Sequence, residues 1–368
     1  MPQGNFYELL LWLILLTIFA YASREIDIFR TIKEIEAYVE GFRRATQKAI
    51  ETTLKEFRNV AKETESRRVS RIEERVREMV DSVFLEPEDK DPYGLMDKLK
   101  HLMLVEDSAL INEIKSLVPR APKVAVENLK DLIEATRQLN LIYKYVEHYY
   151  RLGKKFKSIW LLLQLHSLLP FLVEEVSALE SSLEAFSKGL PIGDSVGCLV
   201  AARFIQLYGK GEIREVVEDT ILSKAEFKGR EVLVIKAKGP SGVTGRLDDA
   251  LAMVVKSRRE PKVIITVDAA LKLEGERSGS IAEGIGVAIG GLGVEKFNIE
   301  RLATKLKIPL YAILIKMAGP EALSIMSKEI ALSIDKALRR VERVIEERSE
   351  VGDTVVLVGV GNTIGVYP

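Results

Sequence analysis

The sequence predicts an α/β domain with a mainly parallel sheet and helices on both faces, preceded by an all-α region and an N-terminal transmembrane helix. Three observations carry this reading. Residues 9–22 form an apolar run without a charge. From residue 28 to residue 80, apolar side chains recur at spacings of three and four. Beyond Lys188-Gly189-Leu190-Pro191, short β-branched runs alternate with helical stretches. The boundaries that follow are 1–23 for the anchor, 24–187 for the helical region (a stalk or a bundle) and 188–368 for the α/β domain.

With 368 residues, 47% of them hydrophobic, the chain can bury a large core. Its 54 basic and 54 acidic residues cancel. A nucleic-acid partner would show as a basic surplus, so none is expected. The single cysteine, Cys198, rules out an intrachain disulfide and a Cys-rich zinc site, and suits a reducing compartment.

In the first segment, Glu8 is the only charge before Arg24. A spanning helix takes roughly 20 residues, with about 17 as the lower limit, and the run reaches this once Ser23, Glu8 and the uncharged residues before Glu8 are counted with it. Trp12 and Tyr21 stand where interfacial aromatics belong. A cleaved signal peptide would need a basic start, and this start has neither Lys nor Arg. A buried globular helix is the other alternative, but the run has no polar face. An uncleaved anchor is the expectation favoured over both, making the membrane itself a partner. Arg24, Arg30 and Lys33 follow it, so the positive-inside rule places the rest on the cytoplasmic side of a single-pass cell-membrane protein.

In the helical region, Ile28, Ile32, Ile35, Val39, Phe42, Ala49, Leu54, Phe57 and Val60 trace one stripe, continued by Val69, Ile72, Val76 and Met79. Such a stripe suits either a coiled-coil stalk or a helix pair packed on the rest. A homo-oligomer, if formed, would use this half. Residues 86–92 are a polar, Pro-bearing break, and further helices are expected near 95–117 and 124–151. Residues 160–173 are apolar but interrupted by Gln164, His166 and Pro170, which favours a buried core helix over a second span. His101, His148 and His166 match no metal-ligand spacing.

In the α/β domain, strands are expected at 231–237, 262–267, 280–289, 309–316 and 354–360. Helices are expected at 195–208, 246–257, 299–305 and 320–348. Sites in such sheets form beyond the carboxyl ends of strands, and four features fall there. Gly193-Asp194-Ser195-Val196-Gly197 opens a helix. Asp268 ends the second strand. A glycine-rich run from Gly284 includes Gly290, Gly291 and Gly293. Gly359-Val360-Gly361-Asn362 follows the last strand. Each also has a plain structural explanation: Asp194 as a helix cap, Asp268 as a cap for 269–273, the glycines as turns. Gly239-Pro240-Ser241-Gly242 could cradle an anion but lacks the Gly-Lys-Ser/Thr ending of a nucleotide loop, and no cofactor is implied.

Gly-Asp-Ser-Val-Gly followed by Leu199-Val200-Ala201 resembles the Asp-x-x-Gly-Pro segment of the bacterial spore germination protease. It also resembles the Asp-Asp-Gly-x-Gly segment of the hydrogenase-maturation endopeptidases. The strand 263–267 running into Asp268-Ala269 is similar to the spore protease's strand ending in Ile-Asp-Ala. Gly279-Ser280-Ile281, Gly286 to Gly293, and Ile308 to Ile313 follow in that family's order. The likeness covers roughly the last 180 residues. Over its whole length the chain also resembles an archaeal, membrane-anchored family known only as a domain of unknown function.

Two departures from the peptidase pattern are informative. In those peptidases a strand ending in Gly-x-Gly-Asn leads into the aspartate segment, whereas here Gly359-Val360-Gly361-Asn362 stands at the C-terminus. A circular permutation would explain this and would set Asn362 beside Gly193-Asp194. No histidine follows His166, so the nickel site of the hydrogenase-maturation enzymes is not expected, and no metal ligands are assigned. The spore-protease resemblance implies two catalytic aspartates, which fall on Asp194 and Asp268. Gly193, Ser195, Gly197, Gly290, Gly291, Gly293 and Asn362 would then form the substrate-binding surroundings. The expected function is a membrane-anchored peptidase-like hydrolase acting on a peptide or protein. The rival is a non-catalytic, membrane-tethered scaffold that binds peptide, anion or protein. A divalent ion on Asp194, Asp268 and one of Glu274, Glu276 or Glu283 would lie between the two.

Overall fold

A computed structural model describes residues 3–62, 66–83, 94–257, 260–289 and 293–367. The expected break at 86–92 lies outside these residues. The chain forms two compact units, one comprising 1–49 with 138–176, the other 50–137 with 177–368. Each is described separately.

The first unit contains parts of three helices. Helix α1 (Gln3–Ala61) is continuous from the apolar run into the amphipathic stretch. Ile28, Ile35, Val39, Phe42, Ala45 and Ala49 of its stripe are buried. Over the apolar run, by contrast, the described side chains are exposed. Helix α4 (Lys123–Phe156) runs antiparallel to α1, with Thr46 Oγ1 donating to Leu139 O at 3.2 Å and Arg43 Nε to Tyr143 Oη at 3.2 Å. Helix α5 (Ile159–Lys188) runs parallel to α1, with Lys157 Nζ 3.7 Å from Glu25 and His166 Nε2 3.0 Å from Glu34. Residues 160–173 are not the buried core helix expected. Leu162, Leu165 and Leu169 turn inward, but Trp160, Leu163, Leu168 and Phe171 are exposed. The physical reason is that the apolar residues go all round the helix while only one face meets neighbours. Among the described residues, two helices are long and apolar enough to cross a membrane: α1, over Tyr7–Ala61, and α5.

The second unit adds α2 (Ser66–Asp81) and α3 (Leu95–Leu117) to a seven-stranded sheet. The sheet order is β1-β2-β3-β7-β4-β6-β5, for β1 (Arg214–Val217), β2 (Thr220–Phe227), β3 (Arg230–Ala237), β4 (Val263–Leu271), β5 (Ser280–Ile285), β6 (Leu310–Met317) and β7 (Thr354–Gly359). The sheet is mixed rather than mainly parallel. The pairs β3–β7, β7–β4 and β4–β6 are parallel, whereas β1–β2, β2–β3 and β6–β5 are antiparallel. The difference comes from β1 and β2, which the sequence reading lacked. In β2 Ile221, Ser223, Ala225 and Phe227 point inward while Lys224 and Glu226 point out, the period-two pattern of a one-sided strand. The turn to β3 is Lys228-Gly229, both at positive φ, as a tight two-residue hairpin requires.

Helices cover both faces. Helices α6 (Val196–Tyr208) and α10 (Lys328–Arg348) bury Val200, Phe204, Val341 and Ile345 against Val234, Ile265 and Leu357. Helices α7 (Leu247–Ser257) and α8 (Val294–Leu306) bury Leu251, Val254 and Ile299 against Ile235, Ile264 and Val356. The helix expected over 320–348 is broken into α9 (Gly319–Leu323) and α10. Ser327 caps α10 by accepting from the Ile330 N–H, and Ile325 between the two helices bridges to Ile192.

Candidate functional site

The start of α6 is pressed into the carboxyl ends of the central strands. A Cβ on Gly197 would lie 2.2 Å from Val267 O and 2.3 Å from Val360 O. Only a glycine lets the helix come this close to both strand ends. The single 3₁₀ turn Gly193–Ser195 leads into α6. It is held by the Gly193 N–H donating to Ser324 O at 3.0 Å.

Asp194 occupies this turn but does not cap the helix, correcting that alternative. Its Oδ2 accepts the Asn362 N–H at 2.8 Å. Gly361, at φ 115°, permits the approach, because a Cβ there would lie 1.9 Å from Asp194 O. Burial holds the Asp194 carboxyl above the usual carboxylate range, and the Asn362 amide works against that shift. Asp268 is likewise not a cap. β4 continues through it to Leu271, so no helix follows at 269–273. It is buried, and its Oδ1 accepts the Ala269 N–H at 2.7 Å.

Asp194 and Asp268 line one cavity of about 640 Å³ within the second unit. Gly293 and Gly361 line it too, whereas Gly193, Ser195, Gly197 and Asn362 do not. Ser195 is fully buried, and among the described residues its hydroxyl has no hydrogen-bond partner. Gly290 and Gly291 lie outside the described residues. The expected strand 280–289 stops at Ile285, before Gly286 at φ 120°.

The far wall of the cavity was not anticipated. Lys100 Nζ sits 2.7 Å from Asp248 Oδ2 and 3.0 Å from Asp249 Oδ1, and Asn298 Nδ2 donates to Asp248 at 2.7 Å. Lys130 pairs with Asp107 at 2.5 Å. Glu295, on the same wall, is pushed up to about 7, chiefly by burial and then by the charge of Asp248. The intermediate idea of a divalent ion does not fit Glu276 and Glu283. Glu276 pairs with Lys316, and Glu283 pairs with Arg340 and Arg343. Among the described residues, no three His, Cys, Asp or Glu side chains converge as a metal cage.

Two buried groups behind the aspartates also escaped the sequence reading. Cys198 donates its thiol to Gly361 O at 3.1 Å and is pushed up to about 12, chiefly by burial. Lys236, at the end of β3, is fully buried and donates to Ala237 O at 3.1 Å. Burial lowers its pKa. A usable signal existed, since Lys236 is the one charge within the apolar run 232–237.

Two family models match this chain: the N-terminal domain of a protein of unknown function, DUF1512, over residues 9–189, and the DUF1512 C-terminal domain over residues 192–367. Together they span nearly all of it. The chain belongs to the DUF1512 family. The junction between the DUF1512 models falls at 189–192, directly before the turn that carries Asp194. No curated protein matches the chain.

Proposed function

We propose that the cavity is the active site of a membrane-anchored, peptidase-like hydrolase in which Asp194 and Asp268 form an acid–base pair. The observation that carries this is that carboxylates from two separate segments line one cavity, and burial pushes Asp194 toward its protonated form. In this reading Asp194, protonated, polarises the scissile carbonyl, and Asp268 accepts a proton from the attacking water. A peptide or protein segment is the substrate class, bound between the strand ends and the helical wall.

The likeness to the spore protease and the circular permutation belong to the same proposal. They are supported by β7 lying in mid-sheet between β3 and β4 and delivering the Asn362 amide to Asp194. The membrane topology is proposed as single-pass, with the remainder cytoplasmic. The single span is supported by the contacts Lys157–Glu25 and His166–Glu34, which set α5 alongside the charged part of α1 rather than beside residues 9–22.

A second reading has its own observation. Each aspartate already accepts a backbone N–H, from Asn362 and Ala269 respectively, which is what structural carboxylates do. The domain would then bind a peptide or protein without cutting it. The test is the full chain in vesicles, incubated with a diverse peptide pool beside Asp194→Asn and Asp268→Asn. Loss of cleavage in both variants supports the acid–base pair. Unchanged cleavage in either removes that aspartate from the mechanism. Peptide retention without cleavage favours the binding reading.

A further inference from the structure

The turn between α4 and α5 carries a feature that the cavity does not use. Phe156 is 65% exposed and Trp160 is 77% exposed. Both are large, both lie within four residues of the turn, and Lys155 and Lys157 are exposed beside them. Lys155 lies over the Phe156 ring, its Nζ 5.5 Å from the centroid. In plain water this exposure of aromatic surface is unfavourable, and it is not a scattered single residue.

The position of this turn along α1 suggests what covers it. Lys157 meets Glu25, three residues beyond the end of the apolar run at Ala22. At about 1.5 Å per residue this is about 4.5 Å along the helix axis. The headgroup layer outside the hydrocarbon is roughly 5–7 Å deep on each side. A bilayer crossed by residues 9–22 therefore brings its headgroups to the level of the turn. Trp160 lies in the first turn of α5, whose N-terminus faces the apolar run, and helical side chains tilt toward the N-terminus. Its indole thus leans toward the membrane side.

We propose that the α4–α5 turn docks on the anionic lipid headgroups of the bilayer that α1 crosses, with Trp160 and Phe156 in the interfacial layer, Lys155 on the phosphates and Lys157 holding the turn to Glu25. The chemistry fits this occupant. Trp is favoured at the interface because its ring is apolar and its N–H polar. Lysines near an anionic surface each contribute about a fivefold gain in the docked population. The consequence is a second attachment, so that the helices of this unit are braced on the membrane and not only hung from one span. The proposal rests on insertion of residues 9–22, not on any chemistry in the cavity.

Trp12 and Trp160 are the two tryptophans of the chain, so Trp12→Phe leaves Trp160 as the only indole. The full-length W12F chain is reconstituted into vesicles with and without anionic lipid, and retention through an alkaline carbonate wash reports insertion. Lipids brominated near the carbonyl or deep in the tail then report the depth of Trp160. In anionic vesicles Trp160 emission is expected to be blue-shifted and quenched more by the shallow label than by the deep one. Lys155→Gln should lower the docked population about fivefold, and added salt should act in the same direction. A chain that inserts while Trp160 stays unquenched by either label overturns the docking. Blue-shifted emission that ignores brominated lipid and falls on diluting the protein in the bilayer also overturns it, assigning the patch to a second copy. A chain released by carbonate overturns the membrane span and the docking together, and leaves the aspartate-pair test standing.

Discussion

Replacing Asp194 by Asn and, separately, by Ala distinguishes what this carboxylate does for the fold from what it does in the cavity. Ala removes the acceptor of the Asn362 N–H, a 2.8 Å bond. Asn362 is half-buried, so leaving its N–H without a partner falls toward the lower end of the about 1–3 kcal/mol that such a loss costs. For a folded unit of this size that is a fall of roughly 2–5 °C in Tm. Asn keeps an acceptor oxygen and carries no charge to desolvate. Burial raises the Asp194 pKa in the folded chain, so the native state keeps its proton to higher pH than the unfolded state does. The contribution of this group to stability is therefore complete below the ordinary carboxylate pKa. It is lost as pH rises through that value to the raised one, and stays lost above it. The Asn variant is accordingly expected to match or exceed the wild type in Tm near neutral pH. Its advantage should shrink as pH falls to about 4, the ordinary carboxylate range. Near-UV circular dichroism melts of the full chain in detergent between about pH 4 and about pH 8 would read this. The reasoning is refuted if Asn falls as far as Ala near neutral pH, or if the difference between Asn and wild type is independent of pH.

Two further substitutions test the strand ends. Gly197→Ala drives a methyl into two backbone carbonyls. The clash should outweigh the gain in helix propensity of about 1 kcal/mol and leave a net loss of about 2 kcal/mol or more. Gly41→Ala meets nothing within 4 Å and serves as the contrast, with denaturant midpoints expected to move in opposite directions. Lys236→Met replaces a fully buried ammonium by an apolar side chain of similar length. It should raise the unfolding free energy by about 1 kcal/mol or more, and the midpoint with it. A lowered midpoint would show that the Lys236 bond to Ala237 outweighs the cost of burying the charge.

Much of the α/β unit could be read from local pattern. β3, β4, β6 and β7 lie within a residue or two of their expected starts, because strands in the middle of the sheet, buried throughout or nearly so in β3, β4 and β7, are continuous apolar runs. β4 alone runs on, to Leu271, past the expected end at 267. β1 and β2 were not legible as apolar runs, since Lys224 and Glu226 interrupt β2 on its solvent face. α5 misled for the opposite reason. Its composition reads as interior, yet Trp160 and Phe171 face outward because burial depends on what stands opposite a residue.

The sequence by itself determined that an apolar helix lies near the start, that an α/β domain follows Pro191, and that Asp194 stands at the start of a helix; Asp268, expected at a strand end, lies inside β4. These are local statements, decided by charge, by period and by the conformational demands of Gly and Pro. Only the tertiary structure decided that the two aspartates share one cavity, that the last strand lies in mid-sheet, and that Asn362 and not a helix end is the hydrogen-bond partner of Asp194. It also decided that Lys100, Asp248 and Glu295 form the opposite wall, and that Lys236 and Cys198 are buried behind the pair. The physical reason is that strand order and the close approach of α6 at Gly197 depend on packing between residues far apart in the chain, which no local pattern encodes.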